Sequence, residues 1–417
     1  MRELGSSGRS SAPSSVVMGN RSHAVLGLLL AATVVLAILF AGGGWSESRA
    51  AAPRGSADPS QMDHRAFLPL VTSTRPLQRE RYGYVALSSD WREDFDVAQL
   101  GGGWYVDANP PYCADSPGGL ERALLIRVRN WSSIQLPWLG GLVDNYPGGL
   151  WLVGNEPDCI WQDNVVPEAY AHIYHEIYTF IKGRDPTAQV SPGGIVQPTP
   201  LRIAWLDRVL LEYKNEYHVQ MPVDVWNIHN AILRELSHLC DPANAWGADI
   251  PPGFTQCEGE MREVEDNDSM DIFTQQIWTF RQWMADNGYA GYPLIVTEYG
   301  VLTPVEWGFD VDRVNAFMDA TFDFFQTAKS TTLGDPADGY RLVQRWAWFS
   351  LDNPPYDPEI EHSFNGNLFD PYSTEITGYG LNFGTHTDAF PPLDYVELRP
   401  TGLRVEPLEP IGASGVV

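Results

Sequence analysis

Basic side chains are scarce in this sequence: its 417 residues hold 27 Lys and Arg against 53 Asp and Glu, a formal net charge of −26. That excess repels nucleic-acid phosphates and anionic lipid surfaces, so nucleic-acid binding is set aside. Cysteine is scarcer still, with four in all, no CxxC and no Cys/His zinc spacing, so no structural metal is indicated. No segment of about 20 to 50 residues recurs, which excludes a solenoid or propeller. A glycine-rich phosphate-binding turn is missing after the first candidate strand, and this weighs against the alternative of a doubly wound open sheet.

Long apolar runs are also rare, with one exception. Ala24 to Ala41 reads AVLGLLLAATVVLAILFA without a charge, after Arg2, Arg9 and Arg21. Residues 24–43 are therefore a transmembrane helix or the core of a signal peptide, behind a positive region over 1–23. Ala50, Ala51 and Ala52 offer a small-residue cleavage site, and a start at Met18 leaves Arg21 and His23 as a compact positive region. Both readings put the rest of the chain outside the cytoplasm, anchored to the membrane or secreted. Four cysteines suit such an oxidising compartment.

What is present is a large apolar and aromatic content, 44% hydrophobic and 12% aromatic with 15 Trp, enough for one large core. Residues 44–78, rich in Ser, Ala, Pro and Arg, have the composition of a flexible linker. From residue 79 short apolar runs alternate with amphipathic stretches, the pattern of parallel strands buried under helices. Eight runs qualify as strands: YGYVAL from Tyr82, GGWYVD from Gly102, LLIRVRN from Leu124, GLWLVGNEP from Gly149, AQVSPGGIV from Ala188, VDVWNIHNA from Val223, PLIVTEYG from Pro293 and RWAWFSLDN from Arg345. Between them, Pro167 opens a helix with Tyr170, Ile173, Tyr174, Ile177, Tyr178 and Ile181 on one stripe. A second helix carries Phe273, Ile277, Phe280 and Met284 before Asn287-Gly288, and a third runs from Asp312 through Val314, Phe317, Thr321 and Phe325. The segments after Asp90 and Pro110 are short and rich in Gly and Pro, so the early helices are expected to be abbreviated or replaced by loops.

Eight strands with crossovers over 79–372 predict a (β/α)8 barrel, a TIM-barrel catalytic domain of α/β class. Beyond it, 373–417 is expected to be an irregular C-terminal extension in which only DYVELRP reads as a strand. Cys113 and Cys159 fall in two loops of one barrel face, and Cys240 and Cys257 bracket one long loop. Of the three possible pairings, Cys240–Cys257 with Cys113–Cys159 is the one expected. Asp266, Asp268 and Asp271 lack the glycine and terminal glutamate of a calcium loop and read as charges around a helix start.

Catalytic groups of such a barrel sit where strands end and βα loops begin. Two glutamates do so. The fourth strand candidate stops at Gly154-Asn155-Glu156-Pro157, and the seventh runs into Thr297-Glu298-Tyr299-Gly300. Plain strand alternation puts Glu156 on the side of Leu152 and Gly154, and Glu298 on the side of Val296. Paired carboxyls are what cleavage of a glycosidic bond requires, one to protonate the leaving oxygen and one to attack or to activate water. Alone, either tetrapeptide is a common loop sequence. Asp158, Trp161 and Gln162 follow the first glutamate in a loop that either rims the cleft or is merely held by Cys159.

Glutamates after strands four and seven, the first preceded by Asn155, make residues 80–372 resemble glycoside hydrolase clan A, the retaining barrel enzymes, and within it the "glycosyl hydrolase catalytic core" proteins. The resemblance implies an exported enzyme that acts on a β-linked poly- or oligosaccharide by double displacement, without metal or organic cofactor. It makes Glu156 the acid/base, Glu298 the nucleophile and Asn155 the partner of the sugar 2-hydroxyl. Substrate contacts are further implied for His229, beside the nucleophile, and for Trp348, with Trp346 of the same strand parity as the alternative floor of the cleavage subsite. Arg127 or Arg129 supplies a cation near Glu298, and Tyr299 and Asn230 adjoin the pair. Retention predicts carboxyl groups about 5–5.5 Å apart, inversion about 6.5–9.5 Å. A surface carbohydrate-binding protein that kept the barrel without turnover is the other reading, and a structural envelope protein a third.

Overall fold

The computed structural model describes residues 78–88, 91–108, 119–243, 246–356 and 364–388. The positive region over 1–23, the apolar run over 24–43, the linker up to residue 77, Cys113 and the DYVELRP segment lie outside the described residues. Among the described residues no helix is long and apolar enough to cross a membrane.

Eight strands follow in chain order: β1 Tyr82–Ala86, β2 Trp104–Asp107, β3 Glu121–Ile126, β4 Leu150–Asn155, β5 Gln189–Gly194, β6 Trp226–His229, β7 Leu294–Tyr299 and β8 Arg345–Trp348. Every pairing is parallel, in the order β5-β4-β3-β2-β1-β8-β7-β6. The ring closes between β5 and β6 through a parallel bridge of Ile195 with Ile228, with the His229 amide donating to Ile195 O at 2.9 Å and the Ala231 amide to Val196 O at 3.2 Å. Each of the eight strand candidates overlaps one of these strands. The chain is a (β/α)8 barrel.

Alternation divides its core in two. Val85, Trp104, Val106, Ala123, Leu125, Leu150, Leu152, Ile295 and Ala347 pack inside the barrel. Their strand neighbours Tyr84, Tyr105, Leu124, Trp151, Val296 and Trp346 pack outward under the helices. The described helices are α1 Trp91–Asp94, α2 Leu136–Asn145, α3 Pro167–Arg184, α4 Pro200–Tyr217, α5 Met270–Asp286, α6 Val311–Thr327 and α7 Gly378–Thr387. α3, α5 and α6 bury the stripes read from the sequence: Tyr170, Tyr174, Ile177 and Ile181; Phe273, Ile277, Phe280 and Met284; Val314, Phe317, Thr321 and Phe325. α1 has only four residues, the abbreviated early helix expected. Near the start of α5, Asp268 is held by Arg313 at 2.6 Å.

One expectation about the tail is corrected. Text beyond Pro371 that reads as irregular contains α7, whose Tyr379 and Phe383 are buried, with Phe383 edge-on to Phe322 of α6 at 5.5 Å and to Tyr82 of β1 at 6.2 Å. Glycines hid it, because they weaken a helix signal while permitting close approach: a Cβ on Gly380 would lie 2.2 Å from Leu368 O. α7 is thus the helix that follows β8, and by its packing it belongs to the barrel.

Candidate active site

In β4 the alternation that turns Leu150 and Leu152 inward is interrupted near its end. Gly154 has φ +103° and Glu156 φ +44°. A Cβ on Gly154 would face Val128 and Tyr170 of the outer layer, at 3.1 and 3.4 Å, so Gly154 does not share a side with Glu156 as alternation suggested. Two left-handed residues, rather than the pleat, aim Glu156 into the barrel mouth. For a residue with a Cβ that conformation costs roughly 1–2 kcal/mol. The surroundings enforce it: the Glu156 amide donates to Gly194 O at 3.1 Å, the Cys159 amide to Glu156 O at 3.0 Å, and the Val165 amide to Pro157 O at 2.8 Å.

β7 reaches the mouth by a different device. Val296 packs on the helix side, so an unbroken pleat would turn Glu298 outward as well. Instead the register slips against both neighbours. Ile228 pairs with Val296 but His229 with Glu298, and β8 passes from Val296 to Tyr299. The extra residue, Thr297, sends its hydroxyl to Asn227 Oδ1 at 2.6 Å, and the bulge swings Glu298 into the cleft. The expectation that Val296 and Glu298 share a face is therefore corrected. His229, at the end of β6, fits between the two glutamates because Gly194 has no side chain: a Cβ there would lie 2.5 Å from the imidazole Cδ2.

Glu156, His229 and Glu298 line one small pocket with Ala231, Leu233, Tyr299, Gly300 and Leu302. One donor atom from each of the three lies within 4.8 Å of the others. His229 Nδ1 is 2.9 Å from Glu156 Oε1 and 3.7 Å from Glu298 Oε2. The His229 side chain is only 4% exposed, those of Glu156 and Glu298 12% and 23%. Burial pushes the Glu298 carboxyl up to about 7, against the lowering pull of His229, with the Glu156 charge adding to the rise and Arg127 opposing it. For His229 burial disfavours the imidazolium, yet Glu298, Glu156 and Asp158 together hold its pKa above the ordinary value. Among the described residues no other cluster of His, Cys, Asp and Glu gathers three donor atoms so closely. A polar layer of Asn227, Thr297 and Ser191 lies buried in these same strands.

The remaining sequence candidates divide. Asn155 stands beside the site, its amide side chain donating to Gln162 Oε1 at 3.3 Å. Arg127 does not bond Glu298; it pairs with Asp163 at 2.6 Å and reaches Gln162 Oε1 at 3.2 Å, acting on Glu298 only through its charge. Arg129 donates to Ile160 O. Three expectations are corrected by burial. Asn230 is spent on α5, donating to Phe273 O and accepting from Gln276 Nε2. Tyr299 borders the pocket beside Glu298, but its ring lies in the outer layer against Phe273, Phe325 and Trp348. Trp348 is fully buried, edge-on to Tyr299, its indole N–H donating to Gly366 O at 2.8 Å, so it floors no subsite. Trp346 likewise packs under α6 on Phe325. The inward-facing β8 positions are Ala347 and, just beyond the strand, Phe349. Trp161, on the β4 loop, packs against the small cluster of Cys159, Val196 and Ala248, as do Ala231 and Leu233 of the cleft wall.

Cys240 and Cys257 form a disulfide. Cys159 is a free, buried thiol beside Val196 and Ala248, 3.9 Å from Ala248 O, and Cys113, its expected partner, lies outside the described residues. Sequence reasoning passed over two residues of this region. Buried Asp163 accepts from Arg127, the Val128 amide and the Asn155 amide, tying the end of β3 to the end of β4. Arg202, on α4, reaches the Glu156 turn from behind. Neither lies in a strand-end motif, and only tertiary contact reveals them.

No family model matches the chain, and no curated protein matches it. Solved structures with a similar barrel include a GH128 (subgroup I) endo-β-1,3-glucanase from Amycolatopsis mediterranei in complex with laminaritriose, at 16% identity and TM-score 0.45, covering 73% of this chain and 99% of that one. A GH128 (subgroup III) curdlan-specific exo-β-1,3-glucanase from Blastomyces gilchristii in complex with glucose matches at 15% identity and TM-score 0.46, covering 73% and 97%. A GH128 (subgroup VII) oligosaccharide-binding protein from Trichoderma gamsii matches at 12% identity and TM-score 0.44, covering 76% and 97%.

Proposed function

We propose that this chain is a retaining glycoside hydrolase acting on a β-linked glycan. The observation that carries the reading is the approach of two carboxyls, Glu156 from β4 and Glu298 from β7, to within 4.8 Å at the mouth of a parallel barrel. That gap is too short to seat a water between them for direct displacement and suits a double displacement. In the first step Glu298 attacks the anomeric carbon while Glu156 gives its proton to the departing oxygen, leaving a glycosyl ester. In the second, Glu156 takes a proton from water, whose oxygen attacks the anomeric carbon and frees Glu298. Arg127 and His229 favour an ionised Glu298, and formation of the ester removes its charge altogether.

One observation favours a second reading with the roles exchanged. In the ligand-free site Glu156 is the carboxyl hydrogen-bonded to His229 Nδ1, at 2.9 Å, whereas Glu298 is the carboxyl that burial raises to about 7. Azide separates the two. Purified full-length chain is assayed on a polysaccharide panel headed by laminarin and curdlan, with Glu298→Ala and Glu156→Ala beside the wild type. The first reading expects azide to rescue Glu298→Ala with a glycosyl azide of inverted configuration and Glu156→Ala with one of retained configuration. The opposite pattern exchanges the roles. A wild type that binds glycan and never cleaves it would mark a binding protein instead. Export through the 24–43 segment belongs to the same proposal, supported by the Cys240–Cys257 disulfide.

A further inference from the structure

Behind the Glu156 turn lies a charged network that the proposed chemistry does not use. Arg202, in the first turn of α4, is completely buried, as are Asp158 and Glu235. All five of its N–H groups are spent: Nε on Glu235 Oε1 at 2.7 Å, Nη1 on Asp158 Oδ2 at 2.6 Å and Asp158 O at 2.8 Å, and Nη2 on Ala248 O and Asp249 O at 2.9 Å each. Glu235 also accepts from Thr199 Oγ1, Gln197 Nε2 and the Glu260 amide. One guanidinium thus fastens the β4 turn to the long loop after β6, and Glu235 brings in the β5 loop. Two carboxylates against one guanidinium leave this buried cluster with a net negative charge, and its Asp158 end lies two residues beyond Glu156.

Burial of three ionised groups is expensive, and apolar residues of similar volume would hold loops together as well or better. Mechanical need alone therefore does not account for it. The charge has a receiver in His229: Asp158 accepts from the Val196 amide at 3.3 Å, the His229 amide donates to O of the preceding Ile195 at 2.9 Å, and the imidazole stands 2.9 Å from Glu156 and 3.7 Å from Glu298. The cations acting on these carboxyls are Arg127, from the end of β3, on Glu298, and Arg202, from α4, on Asp158, whose pKa burial holds above the ordinary value while Arg202 opposes the rise. Cys159, the other titratable group of the turn, is a buried thiol whose pKa burial raises well above the ordinary value, so it stays neutral.

We propose, resting on the glycosidase reading, that Asp158 is a positioning residue: clamped by Arg202, it fixes the turn that carries Glu156, and its buried charge keeps the proton on His229 that bonds Glu156. The imidazole then donates to one carboxyl while standing within reach of the second, and the distance between the two is set by a protonated ring rather than by a neutral one. Without Asp158's charge the imidazolium is less favoured, so His229 loses its proton at lower pH.

The test uses the full-length chain labelled with 15N-histidine, the His229 resonance being identified by its loss in His229→Gln. In the wild type His229 is expected to titrate above free histidine. Asp158→Asn, which keeps the shape, is expected to move the His229 midpoint to lower pH. Glu235→Gln takes the same charge from the same Arg202 and is expected to move it less. On whichever glycan the wild type cleaves, Asp158→Asn should lower kcat/KM about tenfold on the alkaline side and much less on the acid side, a loss of ~1.4 kcal/mol in transition-state stabilisation. A wild-type His229 titrating below free histidine overturns the proposal, even if Asp158→Asn does not fold. So does a folded Asp158→Asn protein with an unmoved midpoint, or equal shifts in the two variants. The nuclear resonance readout needs no turnover, so absence of activity would count against the glycosidase reading and leave this one decided separately.

Discussion

At the scale of single residues, Glu298 carries a conflict between chemistry and stability. Burial lifts its carboxyl from the ordinary 4.5 to about 7, so between those values the folded chain holds a proton that the unfolded chain has lost. The contribution of this group to stability is present below the unfolded pKa and is lost as pH rises through the folded one. Replacement by the neutral isostere removes the cost only where the wild-type group is ionised. Glu298→Gln is therefore expected to be inactive and more stable than wild type at pH 8, by on the order of 2 kcal/mol, with little difference at pH 5. Thermal melts at the two pH values check this. A variant stabilised equally at both, or destabilised at pH 8, would contradict the assignment of burial as the dominant influence.

At the scale of elements, three strand ends have to meet within a few ångströms, and each is shaped by a local irregularity. β4 uses left-handed Gly154 and Glu156, β7 a bulge at Thr297, and β5 a glycine at 194 that admits the His229 ring. A methyl group on Gly194 would sit 2.5 Å from imidazole Cδ2 and 3.1 Å from the His229 amide nitrogen, so ring or backbone must shift. Gly194→Ala is expected to keep its circular dichroism and lose about 100-fold in kcat, the penalty typical of small displacements in a preorganised site. Unchanged kcat in a folded Gly194→Ala protein would mean that His229 has no part in the chemistry.

At the scale of the whole molecule, the barrel must join its first strand to its last. Part of that join is made at the end opposite the site. Arg81, immediately before β1, makes a bidentate pair with Asp338 at 2.6 and 2.7 Å and donates to Gln344 O at 2.9 Å, ahead of β8. Pair members lie 257 residues apart in sequence and are buried. Loss of one partner strands the other charge inside, so Asp338→Ala is expected to cost about 3–5 kcal/mol in denaturant unfolding while activity per folded molecule holds. A loss of activity without loss of stability would instead tie this end of the barrel to the site.

The amino-acid pattern by itself determined the barrel. Short apolar runs rich in β-branched and aromatic residues identified all eight strands, and helical stripes identified α3, α5 and α6, because burial on a periodic surface writes its period into the sequence. The positions of Glu156 and Glu298 at the ends of β4 and β7 were legible for the same reason. Direction was not. Alternation assigned Glu298 to the side of Val296 and the resemblance assigned Trp348 to the cleft, whereas a one-residue bulge turned the first inward and the plain pleat turned the second outward. α7 escaped notice because its glycines serve close packing, and the Asp158–Arg202–Glu235 network because its members are spread over two loops and a helix. Hydrophobic periodicity is a local property and survives in one dimension. The distance between two carboxyls, the proton shared through His229 and the partners of a buried arginine depend on which strand ends converge, and only the closed barrel brings them together.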